Sequence, residues 1–258
     1  MPGYYQAQRQ KNLFDPRAKS LFKLSRSRLD GFLKCPRCFY LDRRLGVDQP
    51  PGFPFSLNSA VDKLLKKEFD LYRAKGEPHP LMQAAGLDAV PFRHPKLEEW
   101  RQNFQGITYP LPGTTFLVTG AIDDLWQNLA GELLVVDYKA TAKEGEVNLD
   151  ADWQIGYKRQ VEIYQWLFRA NGFQVAKTAF FVYCNGRANH EVFGGRLEFD
   201  IKLLAYEADD SWVEGALRAA YACLCADQLP PINPDCDFCN YRTAVSRVEK
   251  ARPGPLII

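Results

Sequence analysis

The 258-residue chain contains no apolar run approaching the roughly 18 residues that a membrane span requires. Its first 20 residues are polar and mixed, without the apolar stretch of a signal peptide. The expected compartment is therefore the cytoplasm, where thiols stay reduced. There is no internal repeat and no low-complexity tract, the marks of solenoids and of disordered segments. Strong charge of one sign is also missing. A formal net charge of +2 does not by itself mark a nucleic-acid binder. What remains is an ordinary globular composition, 46% hydrophobic and 25% charged, long enough for a substantial core in one large or two small domains.

Charge is unevenly spread. Residues 1–45 hold eleven Lys or Arg and three Asp, so that segment carries +8 and the remainder −6. A basic face on a mildly acidic body suits a phosphate backbone, and equally a solvated arm. Seven cysteines in a reducing compartment point to metal ligands more than to disulfides.

Along the chain, residues 1–22 read as a basic lead-in with little periodicity. Residues 25–33 read as a helix with a serine cap, and residues 56–74 as a second, with apolar positions at Leu57, Val61, Leu64, Leu65, Phe69 and Tyr72. Residues 76–113 are rich in Pro and Gly and predict little regular structure beyond a short helix near 97–104. Residues 115–125 and 133–140 are β-rich around a turn at 128–132, which predicts a hairpin. A helix over 153–170, ended by Asn171-Gly172, precedes strands at 177–183 and 197–206 and a helix at 209–226. This order predicts an α/β protein with a mixed central sheet flanked by helices. The expected organisation is a lead-in over 1–22, a helical lobe over 23–113 and a core over 114–258, forming one structural unit.

The chemistry concentrates in Gly120-Ala-Ile-Asp123 and Asp137-Tyr138-Lys139. Alternate strand residues share a face, so Asp137 and Lys139 project together and Asp123 can join them from a neighbouring strand. Magnesium takes oxygen ligands and is held by one or two carboxylates plus a substrate phosphate. Asp123 and Asp137 are such ligands, and the backbone carbonyl of Tyr138 can add a third. Lys139 is placed to orient a water or to offset developing charge. Asp-x-Lys alone is a weak motif, because alternating charges on an exposed strand face are common. The apolar run 133–136 before it carries the polar groups to a rim. On the following helix, Gln160 and Tyr164 are i, i+4 neighbours suited to phosphate or base contact; Tyr164 equally suits a core position.

Gly-x-x-Asp, Asp-x-Lys and Gln-x-x-x-Tyr in this order resemble the PD-(D/E)xK nuclease superfamily, and within it the RecB-like branch, including AddB nuclease domains and CRISPR-associated RecB-like exonucleases. The resemblance spans roughly residues 24–245. It implies a restriction-endonuclease-like core and cleavage of DNA with Mg2+ or Mn2+. Asp123 and Asp137 take the metal-ligand positions, Lys139 the catalytic position, and Gln160 and Tyr164 the substrate-binding motif. Relatives often place a metal-binding histidine on an upstream helix. Asp62 stands there in this chain, a competent oxygen ligand, or equally a solvated helix residue.

Cys35-Pro-Arg-Cys38 and Cys236-Asp-Phe-Cys239 have the knuckle spacing of a tetrahedral thiolate site for zinc or an iron–sulfur cluster. Cys184, Cys223 and Cys225 lack that arrangement and read as small buried hydrophobes. The iron–sulfur subset of the family carries an early Cys-Pro, an aromatic and three C-terminal cysteines. Here the third is absent, with Val245 near its place, and Cys38 can substitute. A [4Fe-4S] cluster is the expectation and Zn2+ the alternative, either one joining the N-terminal lobe to the C-terminus.

The expected function is a metal-dependent DNA nuclease, an exonuclease on single strands or ends in repair, recombination or defence. No membrane is expected as partner, and a helicase or another repair or CRISPR protein is an open possibility. The alternative is a catalytically silent nucleic-acid-binding or scaffold module of the same fold, motivated by Asp62.

Overall fold

The computed structural model describes residues 8–50, 52 and 56–251. Residues 1–7 of the expected lead-in lie outside them. Among the described residues the elements run β1 (Phe22–Ser25), α1 (Arg26–Lys34), α2 (Pro36–Leu45), α3 (Ser56–Lys75), α4 (Pro80–Ala84), β2 (Ala89–Pro91), α5 (Leu97–Trp100), β3 (Ile107–Pro110), β4 (Phe116–Gly120), β5 (Asp124–Asn128), β6 (Leu133–Thr141), α6 (Ile155–Ala170), β7 (Thr178–Gly186), β8 (Phe199–Glu207), α7 (Val213–Cys225) and α8 (Asp237–Ala251). The chain divides into two units. One comprises Met1–Gly52, Leu111–Phe116 and Glu214–Ile258; the other comprises Phe53–Pro110 and Leu117–Val213.

The second unit holds a mixed sheet in the order β2-β5-β6-β7-β8. Only β6 and β7 run parallel, because α6 returns the chain between them; the other pairs are antiparallel. The β5–β6 hairpin turns where the sequence predicts it. Asn128 Oδ1 accepts from Glu132 N at 2.9 Å, and Gly131 takes the positive φ of 80° that the turn requires. Asn171 ends α6, and Gly172 follows at φ 87° with Phe173 N bonded to the Phe168 carbonyl.

The two faces of β6 have different neighbours. Val136 and Tyr138 enter a core with Leu65 and Phe69 of α3 and with Trp126, Phe180 and Val182. Phe69 stacks on Trp126 at 5.3 Å and on Tyr138 at 5.8 Å. Asp137 and Lys139 point the other way, toward α6, as the period of two requires.

Three expectations change. The β-rich run 115–125 is two strands, β4 and β5, because β4 pairs with β3 whereas β5 joins the larger sheet. Residues 76–113 contain α4, α5, β2 and β3, whose three or four residues are ordered by pairing with β5 and β4 rather than by their own propensity. The C-terminal cysteine pair opens a helix, α8, that the sequence pattern does not announce: only Cys239 on it is buried. Cys184 is buried as expected, whereas Cys223 and Cys225 are half-buried.

In the first unit, Phe14 packs edge-on against Phe22, Phe116 and Tyr221. Part of the N-terminal basic charge is paired within this unit. Arg9, Arg28 and Arg43 all pair with buried Asp42, which leaves Lys11, Arg17 and Lys19 among the exposed cations.

Asp124, with 0% exposure, anchors the second unit. It pairs with Arg73 and, at 2.8 Å, with Arg101, and it accepts the Tyr138 hydroxyl at 2.8 Å and its neighbour Leu125 N–H at 2.8 Å. Removing this carboxylate strands two guanidinium groups and a hydroxyl. Asp124→Ala should cost about 3–5 kcal/mol in urea unfolding; a loss below about 1 kcal/mol would show the network to be dispensable.

Candidate active site

Strand β4 ends at Gly120, and the link over residues 121–123 delivers Asp123 to the start of β5. Asp124 pairs with Val136, so Asp123 falls beside Asp137 just beyond the last pair. There Asp123 Oδ2 accepts the Tyr138 N–H at 2.9 Å. A strand residue presents its N–H and C=O to the same side, so the Tyr138 carbonyl also faces the Asp123 side, past the end of β5. The Tyr138 side chain takes the opposite role. Its hydroxyl is buried on Asp124, and burial, then that carboxylate, hold its pKa well above the ordinary value.

Asp62 reaches the same region from α3. The Lys66 ammonium lies 2.8 Å from Asp62 Oδ1 and 3.6 Å from Asp123 Oδ1. Burial raises the Asp62 pKa, and the nearby Asp123 charge adds to the effect against the Lys66 hydrogen bond. Asp62, Lys66, Arg101, Gln102, Ala121 and Asp123 line a cleft of about 490 Å3.

On the α6 side, Asp137 is fully buried and paired with Lys139. Lys139 Nζ donates to Gln160 Oε1 at 3.3 Å and lies 4.3 Å above the ring of Tyr157. Gln160 Nε2 donates to the Tyr164 hydroxyl at 3.2 Å. Burial, then the Asp137 charge, raise the Tyr157 pKa. Residues 157, 160 and 164 share one helix face by their i, i+3 and i+4 steps.

The sequence-predicted set is thus distributed over linked contacts: Asp62 to Asp123 through Lys66, Asp123 to the backbone of Tyr138, and Asp137 through Lys139 to Gln160 and Tyr164. The donor set is oxygen-rich and suits a hard divalent cation. The ammonium of Lys66 between two carboxylates marks where positive charge is attracted. Sequence reasoning missed Lys66 and Tyr157. They lie one turn after Asp62 and one turn before Gln160, a spacing that marks them only once those two residues are placed in the site.

Gly120 has a packing role. A Cβ there would stand 2.7 Å from Tyr164 Cε1 and 2.8 Å from Cδ1.

All four paired cysteines lie in the first unit, with their Sγ atoms mutually within 4.8 Å. Cys35–Cys239, Cys38–Cys236 and Cys38–Cys239 are 3.7, 3.7 and 3.9 Å apart.

The sequence model of the PD-(D/E)XK nuclease superfamily matches residues 23–244. The chain belongs to the PD-(D/E)XK nuclease superfamily. The matched span includes every candidate residue of both sites. PD-(D/E)XK nucleases use divalent metals and act on nucleic acid, which agrees with the oxygen donors here. A solved structure titled "Crystal structure of SSO0001" is similar at 15% identity and a TM-score of 0.41, covering 88% of this chain and 87% of that one. That likeness is too loose to transfer any residue's role. No curated protein matches the chain. No described helix is long and apolar enough to cross a membrane.

Gly120→Ala forces the Tyr164 ring away from Gln160 and should destabilise the fold by about 1–3 kcal/mol. Combining it with Tyr164→Leu should relieve that loss, giving a coupling above about 1 kcal/mol in a double-mutant cycle by urea unfolding. Simple additivity would show that the clash is absorbed elsewhere.

Proposed function

We propose that this protein is a divalent-metal-dependent deoxyribonuclease, acting as an exonuclease on single strands or ends. The observations that support the reading are the Asp137–Lys139 pair on β6 and Asp123 bonded to the intervening Tyr138 N–H, within a chain of the nuclease superfamily. Asp62, Asp123, Asp137 and the Tyr138 carbonyl would hold the cation. Bound Mg2+ or Mn2+ would supply Lewis-acid charge and lower the pKa of a water. Lys139, ordered by Asp137, Gln160 and the face of Tyr157, would offset charge developing on the scissile phosphate. Gln160 would fix that lysine and contact the substrate, whereas Tyr164, expected to bind substrate as well, is only 2% exposed and would act by holding Gln160.

Trp153 supports a single-stranded substrate. It is 62% exposed and meets the Tyr157 ring edge-on at 5.4 Å, one ring away from Lys139. An exposed indole beside a candidate phosphate site is a stacking platform for an unpaired base, worth about 1–3 kcal/mol. Repair, recombination or defence are the processes such an activity would serve.

A silent nucleic-acid-binding module is the second reading, favoured by Lys66 holding Asp62 and Asp123 as a cation would. Labelled single-stranded DNA with Mg2+ or Mn2+ separates the two. Cleavage should fall by about 100-fold or more in Lys139→Ala and Asp137→Ala. Trp153→Ala should raise KM for single strands and leave kcat nearly unchanged. Unaltered cleavage in the first two variants removes the assigned site. Binding without turnover in either metal establishes the silent reading, and preference for a ribo-oligonucleotide would replace DNA with RNA.

A further inference from the structure

The geometry points to a single tetrahedral Zn2+, and not the [4Fe-4S] cluster the resemblance implies, as the occupant of Cys35, Cys38, Cys236 and Cys239. The spacing of the sulfurs decides between them. A zinc ion with Zn–S bonds near 2.3 Å sets its four sulfurs about 3.8 Å apart. The observed separations are 3.7, 3.7 and 3.9 Å, with all four Sγ atoms mutually within 4.8 Å. A four-iron cluster takes one thiolate on each corner iron, so its cysteine sulfurs must stand on the order of 6 Å apart. The four thiols do not fit around such a body.

The backbone around the thiols is built for the smaller ion. The ligands form two equal knuckles, each at the start of a helix. Cys35 caps α2, and its Sγ receives the Cys38 N–H at 3.4 Å. Cys236 precedes α8 and receives the Cys239 N–H in the same way. Both helices thus turn their N-terminal ends toward the thiolates, which offsets part of the net negative charge of a zinc–tetrathiolate centre.

Neighbouring contacts hold the two knuckles together independently of the sulfurs. Arg37 Nη1 donates to the Pro230 carbonyl at 2.7 Å, and Asn233 Nδ2 to the Lys34 carbonyl at 2.9 Å. The segments before both pairs are therefore in place when the fourth ligand closes. Such a closed four-ligand site is structural. It ties two parts of one unit that lie almost 200 positions apart in sequence. The assignment does not depend on the nuclease reading, since these ligands belong to the first unit and the carboxylates to the second.

The test is elemental analysis of the full chain purified without oxygen from cells supplied with both iron and zinc. Exclusion of oxygen matters because a damaged cluster can be replaced by zinc. About one zinc per chain, no inorganic sulfide and no visible absorption are expected. A mercurial that caps the thiols should release that zinc to a colorimetric dye. About four irons with acid-labile sulfide would overturn the assignment in favour of a cluster. A metal-free, folded chain would overturn it in favour of four thiols. None of these outcomes requires a cysteine variant to fold.

Discussion

The second unit depends on the position of β6, paired on one edge by antiparallel β5 and on the other by parallel β7. Its two faces must then serve different neighbours. Val136 and Tyr138 enter the α3 core, and Asp137 and Lys139 meet α6. A one-residue slip would exchange these sets, placing a carboxylate and an ammonium in the aromatic core. The same alternation that seals the core aims the polar pair at the rim.

Asp123 and Asp124 show the rule in adjacent residues. Asp124 turns inward to two arginines and the Tyr138 hydroxyl. Asp123 turns to the cleft with Lys66 and Asp62. One residue braces the fold and its neighbour lines the candidate site. Tyr138 links them, its hydroxyl on Asp124 and its N–H on Asp123. The anchor of the unit and the candidate site therefore share a backbone segment.

Local patterns were the most legible part of the chain. Apolar periodicity located α3 and α6, and Asn171-Gly172 marked the end of α6. The turn at 128–132 announced its hairpin. Asp137 and Lys139 followed from strand alternation, and Gln160 with Tyr164 from helical spacing. The short strands β2 and β3 were not legible, because three or four residues have no stable structure until a partner strand pairs with them. Lys66 and Tyr157 escaped notice for a different reason. A lysine or tyrosine on a helix has no distinguishing pattern until its neighbours are known.

By itself the sequence determined which side chains share a face, because helix and strand periods are local properties of the backbone. It thereby determined the acid–lysine pair, the glutamine–tyrosine pair and the two cysteine knuckles. Only the tertiary structure decided what those pairs meet. Three arginines of the basic N-terminal segment turn out to neutralise Asp42. Gly120 is held small by the ring of Tyr164. Four sulfurs from the two ends of the first unit's sequence lie within 4.8 Å of one another. These are distances between groups remote in sequence. They are set when the cores close, and no local period carries them.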